Sequence, residues 1–107
     1  MPGTKETQAR RAERILERSW DDDVEIRDGV KRGDFEVQTE PSGQRRFWFC
    51  CPGPCGSVAG IAIRPVVGKD EPSWAFDENL DAPTLHPSIN HVGCWHGWLK
   101  AGVFASC

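Results

Sequence analysis

The chain has 107 residues, of which 38% are hydrophobic and 27% charged, and a net charge of −3. One domain fits that length, and so lean a core requires a supplement from a metal, a disulfide or a partner surface. The small charge argues against steering toward nucleic acid or membrane. No apolar run approaches the roughly 20 residues of a membrane span, and the polar N-terminus lacks a signal-peptide core, so a soluble intracellular protein is expected.

Residues 1 to about 20 form a basic stretch in which Lys5, Arg10, Arg11, Arg14 and Arg18 outweigh Glu6, Glu13 and Glu17. Thr4 suits an N-cap, and Ala9, Ala12, Leu16 and Trp20 recur at three- and four-residue steps, which predicts a helix with a thin apolar stripe. The acidic run Asp21, Asp22, Asp23, Glu25 and Asp28 then reads as a helix stop and linker. The chain therefore divides into a helical arm with its acidic linker over 1–28 and a β domain over 29–107. Such an arm suits docking on another chain, with Arg10, Arg14, Leu16 and Trp20 as contact residues.

From Asp34 onward the pattern is that of strands. Phe35 and Val37 alternate with polar neighbours, Pro41-Ser42-Gly43 supplies a turn, and Arg46 to Cys50 is an extended aromatic run. Val58, Ile61 and Ile63 follow a cysteine turn, Trp74 and Phe76 form a short strand, and Thr84 to Ile89 another. The end reads as a hairpin, with Cys94 to Leu99 and Val103 to Ser106 joined at Lys100-Ala101-Gly102. The fold class is mainly β: a small zinc-stapled antiparallel domain built from zinc-ribbon-like hairpins, plus the N-terminal arm.

Five cysteines without a signal peptide point to metal rather than disulfides. Cys51 and Cys55 flank Pro52-Gly53-Pro54, a turn that can aim both sulfurs at one point. Cys94 and His96 stand two apart, so on one strand they project to the same face. Cys51, Cys55, Cys94 and His96 are therefore the expected ligands of one structural zinc ion, at about 2.3 Å from sulfur and 2.0–2.1 Å from nitrogen. Cys50 is better used as a small apolar side chain, although it, Cys107 and above all His91 remain rival ligands, while His86 reads as a packing histidine. Neither a His-Glu-x-x-His nor a deaminase-type pattern is present, so structural zinc is favoured over catalytic zinc. Trp95, on the strand face opposite Cys94 and His96, is the candidate exposed anchor for a partner, with core packing as the rival reading.

The segments Trp48-Phe49-Cys50-Cys51-Pro52-Gly53-Pro54-Cys55-Gly56, Pro83-Thr84-Leu85-His86-Pro87-Ser88-Ile89 and Cys94-Trp95-His96-Gly97-Trp98-Leu99 carry a family resemblance over roughly residues 47–107. They resemble a small family found in tailed-bacteriophage genomes and beside bacterial ubiquitin-like conjugation genes. A further cysteine common in that family falls at Gly53 or Pro54 here, which implies a single metal ion. The resemblance implies a zinc-stapled β domain of phage origin and no established activity. The expectation is thus a non-enzymatic minor capsid or decoration protein, in the virion or the host cytoplasm, whose arm docks on capsid subunits or on other copies of itself. An accessory binding factor of a ubiquitin-like conjugation pathway is the alternative, followed by a zinc hydrolase.

Overall fold

A computed structural model describes residues 6–11, 29–68 and 70–106, together with the backbone of 16–18 and 25–26. Among the described residues the strands are β1 (Glu6–Gln8), β2 (Arg10–Arg11), β3 (Leu16–Arg18), β4 (Glu25–Ile26), β5 (Asp34–Thr39), β6 (Arg45–Cys50), β7 (Val58–Ile63), β8 (Ser73–Phe76), β9 (Leu85–His91), β10 (Trp95–Lys100) and β11 (Val103–Ser106). Nine of them make one sheet in the order β1-β11-β10-β9-β8-β7-β6-β5-β2, and β3 pairs with β4 separately. Among the described residues no helix is long and apolar enough to cross a membrane.

The two ends of the large sheet are one piece of chain. β1 runs antiparallel to β11, and β2 runs parallel to β5, with only Ala9 between β1 and β2. The Ala9 amide donates to the Gly102 carbonyl at 2.8 Å and the Arg10 amide to the Gly33 carbonyl at 2.9 Å. The sheet therefore closes into a barrel, which removes its free edges. Gly33, at φ +92°, is needed at this seam, because a Cβ there would lie 2.5 Å from the Gln8 carbonyl oxygen.

The helical arm expected from the N-terminal pattern is not seen: Glu6–Gln8, Arg10–Arg11 and Leu16–Arg18 are strands. Backbone pairing to both β11 and β5 outweighs a thin apolar stripe that had nothing to pack against as a helix. Arg10 lies 3.4 Å from Asp34 in an ion pair across the seam. Arg14 and Trp20 lie outside the described residues, and Leu16 is described only by its backbone in β3.

Alternation fills the barrel. Phe35 opposes Phe49, and Val37 opposes Phe47, across β5 and β6. Phe35 and Phe47 stack with ring centroids 5.0 Å apart, and Phe47 meets Phe76 edge-on at 5.7 Å. Ile63, Leu85, Ile89, Leu99 and Phe104 complete the core. The buried amide of Gln44 is satisfied on both sides: its nitrogen donates to the Arg45 and Ile63 carbonyls, and its oxygen accepts from the Val67 amide at 2.8 Å. Removing residues 1–11 would strip the seam of its hydrogen bonds and expose the sheet edges. The truncated chain is expected to melt well below the full chain and to aggregate; an unchanged melt would contradict the closure.

Ion pairs lace the surface of β6. Arg45 donates to both carboxylate oxygens of Glu78 at 2.8 Å, and Arg46 bonds Glu40 and both oxygens of Glu71. The hydrogen bonds from Arg46 and Arg45 hold the carboxyls of Glu71 and Glu78 below the usual glutamate range. A carboxyl lowered in the folded chain stabilises it above the unfolded pKa and loses that contribution as the pH falls through the folded pKa. The melting temperature is therefore expected to fall on acidification below the ordinary glutamate range, and to fall less steeply in Arg45→Gln/Arg46→Gln. An identical acid profile in that variant would count against these pairs as the source.

Candidate active site and metal centre

Two groups of reactive side chains share one hairpin. The first is built by the β6–β7 connection and the β9–β10 turn. Donor atoms of Cys51, Cys55, His91 and Cys94 all lie within 4.8 Å of one another. The Cys51 and Cys94 sulfurs are 3.5 Å apart, and the Cys55 sulfur is 3.8 Å from His91 Nδ1. Tetrahedral ligands at zinc bond lengths stand about 3.3–3.8 Å from one another, so both separations match edges of such a site. The Cys55 and Cys94 sulfurs are at disulfide distance, with Cα atoms 5.9 Å apart. This pair can thus be linked directly or through an ion.

The surrounding backbone is arranged for sulfur. Amides of Gly53, Cys55 and Ser57 donate to the sulfurs of Cys51, Cys94 and Cys55 at 3.4, 3.2 and 3.5 Å. Gly53 is required by close approach, since a Cβ there would fall 2.7 Å from Trp95 Cβ and 2.9 Å from the Cys94 sulfur. Arg32 reaches across to the turn and donates to the Gly53 and Pro54 carbonyls at 2.9 and 3.1 Å. Cys51 is fully buried, while Cys55 lies at the rim. A Cys₃His set is a zinc-type donor set, and its four protein ligands leave no open coordination position.

Of the ligands expected from the sequence, Cys51, Cys55 and Cys94 come together, and His91 stands where His96 was expected. The reason is a strand boundary. Cys94 belongs to the turn, where its amide bonds the His91 carbonyl at 2.9 Å, and β10 begins only at Trp95. The two-residue alternation linking Cys94 to His96 therefore does not apply, whereas the turn carries His91 beside Cys94. Cys50 is apart from the cluster and donates its thiol to the Gly56 carbonyl at 3.2 Å. Burial pushes the Cys50 thiol pKa up, which suits a neutral packing role. Trp95 is half-buried against the core, edge-on to Phe104 at 5.9 Å.

The second group lies on the outer wall of the same hairpin. Ser88 Oγ and His96 Nε2 are 3.3 Å apart. β9 buries Leu85 and Ile89 and turns Ser88 and Asn90 outward; β10 buries Gly97 and Leu99 and turns His96 and Trp98 outward. His96 pairs directly with Asn90, which sets their Cβ atoms about 5 Å apart on one face. The Ser88 carbonyl accepts a hydrogen bond from Trp74 Nε1 at 3.2 Å, which anchors the serine backbone to β8. Trp98 is 41% exposed, and its ring lies 6.3 Å from that of His86. Ser88 is unmarked in the sequence, because no local catalytic pattern surrounds it; the signal present is a serine and a histidine within the segments that carry the family resemblance.

A small closed β-barrel carrying a serine–histidine pair beside a Cys₃His cluster has the makings of a hydrolase as well as of a metal-stapled binding module. Over residues 22–107 the chain matches, and so belongs to, the BubE family, described as bacterial ubiquitination-like system serine protease. No curated protein and no solved structure matches the chain. The family overturns two expectations drawn from the sequence, that the chain is a non-enzymatic phage capsid or decoration component and that it is not an enzyme. It supports the link to bacterial ubiquitin-like conjugation, and a multi-component system of that kind implies protein partners.

Proposed function

We propose that this chain is a serine peptidase acting on a protein of a bacterial ubiquitination-like system, with Ser88 as nucleophile, His96 as its base and one structural zinc ion in the cysteine cluster. The observation that carries the reading is the 3.3 Å approach of Ser88 Oγ to His96 Nε2 on adjacent strands. Nucleophile and base stand slightly beyond ideal hydrogen-bond reach, as is common before substrate binds. Ser88 Oγ attacks the scissile carbonyl carbon while its proton passes to His96 Nε2. The imidazolium returns that proton to the departing amine, and water then cleaves the acyl-enzyme with the same base. Asn90, the cross-strand partner of His96, is a neighbour able to steady the ring. The exposed Trp98–His86 surface lies beside the pair and offers a contact for substrate polypeptide.

Zinc is favoured over a bare disulfide because a Cys55–Cys94 bond alone would not account for the Cys51 sulfur and the His91 imidazole gathered at ligand spacing beside that pair. Three backbone amides directed at the sulfurs also fit thiolate ligands better than neutral thiols. With all four positions taken by protein, the ion has no place for a substrate water, and the zinc-hydrolase alternative loses ground. When bound, the metal would cross-link the β6–β7 loop to the β9–β10 turn.

The test is release of a C-terminal extension from a ubiquitin-like modifier by the purified chain. Cleavage by the unsubstituted chain and none by Ser88→Ala is expected; equal cleavage by both would overturn the assignment of Ser88.

A further inference from the structure

The metal cluster and the Ser88–His96 pair meet at the β9–β10 turn. His91 ends β9 and Cys94 immediately precedes β10, and the first cross-strand pair beyond the turn is His91 with Trp95. The next pair is Asn90 with His96, and Ser88 follows two residues further down β9. Both turn ligands therefore lie within three residues of Ser88 or His96. Within the turn the Cys94 amide bonds the His91 carbonyl at 2.9 Å, Val92 is 82% exposed and Gly93 takes a positive φ of 82°. Beyond Gly97 the ladder between the strands is irregular, since the register shifts before the Leu99–Leu85 pair. His96 thus sits on a short regular segment that runs from the turn closed by the cluster to the Gly97–Ile89 pair, and Ser88 stands at its far end, where the register shifts.

We infer that the Cys51–Cys55–His91–Cys94 metal centre positions the Ser88–His96 pair, by tying the β9–β10 turn to the Arg32-braced cysteine loop. This inference rests on the reading of Ser88 as nucleophile. His91 and Cys94 are positioning residues: they touch neither substrate nor the reacting atoms. The bracing side is rigid, because Arg32 holds the Gly53 and Pro54 carbonyls and Gly53 packs against Trp95 and Cys94. Loss of the ion would leave the barrel seam and phenylalanine core in place and loosen the turn that leads directly into the Asn90–His96 pair. A displacement of about 1 Å in a reacting pair costs on the order of a hundredfold in rate.

An alkyl fluorophosphonate tests this. Ser88 Oγ bonds to phosphorus, fluoride leaves, and the hydroxyl proton departs through His96. The maximal rate of labelling and the concentration for half-maximal rate are measured separately on the full chain, in four forms: zinc-loaded, chelated under reductant, His91→Ala and His91→Cys. The metal-free and His91→Ala chains are expected to show the native β-sheet circular dichroism. Their maximal rate should fall by about tenfold to a hundredfold with the half-maximal concentration little changed, and zinc-loaded His91→Cys, which keeps four ligands, should restore it. General loosening of the fold would instead reduce the fraction of protein that reacts. Equal rates in zinc-loaded, chelated and His91→Ala chains overturn the inference and leave the peptidase reading standing. So does loss of the fold in both metal-deficient chains, because the ion would then hold the barrel rather than the turn. No labelling of Ser88 in the zinc-loaded chain defeats the peptidase reading, and this inference with it.

Discussion

Ser88→Ala is expected to remove peptidase activity by about a thousandfold or more while leaving the barrel intact, because a serine nucleophile has no substitute once its oxygen is gone. The side chain is half-buried on the outer wall, and its hydroxyl bonds His96 rather than the core. Alanine fits there without strain, and the melting temperature should move by no more than a degree or two. His96→Ala should lose activity to a similar degree, and the double variant should be no worse than either single one, since the two residues act as a unit. Zinc content separates this from the ligand set first expected. His96→Ala should retain one zinc per chain, whereas His91→Ala should bind it weakly. A His96→Ala chain that loses zinc, or a double variant whose loss is the product of the single ones, would contradict the assignment.

Metal removal is the second large effect. The ion would join residues 51–55 to residues 91–94, two segments distant in sequence that also touch through the Cys55 amide on the Cys94 sulfur and through Gly53. Zinc held at 100- to 1,000-fold above its dissociation constant stabilises a chain by about 3–4 kcal/mol. For a domain of this size that is about 10–25 °C in melting temperature. Chelation under reducing conditions should lower the melt by that order while the chain stays folded at 25 °C, because the closed sheet and the phenylalanine core persist. Cys51→Ala should cost more than Cys55→Ala: Cys51 is fully buried and packs in the core as well as facing the ion, while Cys55 lies at the rim. An unchanged melt on chelation, with no metal released, would contradict the centre.

Much of the β architecture was legible in the residues. Phe35 and Val37, and Phe47 and Phe49, show the two-residue period because each strand has one face in the barrel. What the residues did not convey is closure. Ala9, Ala12, Leu16 and Trp20 have helical spacing, yet the chain around Ala9 is an extended seam, whose stability comes from partners some 25 and 95 residues away in sequence rather than from local preference. Three of the four clustered donors were legible from the cysteine turn and from Cys94. The fourth depended on whether Cys94 lies in a strand or a turn, a boundary that spacing resolves poorly. The approach of Ser88 to His96 was the hardest feature to read. Ser88 and His96 are eight residues apart with no catalytic signature between them, and only antiparallel pairing of β9 with β10 makes them neighbours.

The most direct measurement is the site of covalent modification after treating the zinc-loaded chain with an alkyl fluorophosphonate, read by peptide mass spectrometry. The account predicts a single adduct, on the peptide containing Ser88, which disappears in Ser88→Ala and is strongly reduced in His96→Ala. An adduct on another serine, or no adduct while the chain still cleaves its substrate, would contradict the assignment of the catalytic site.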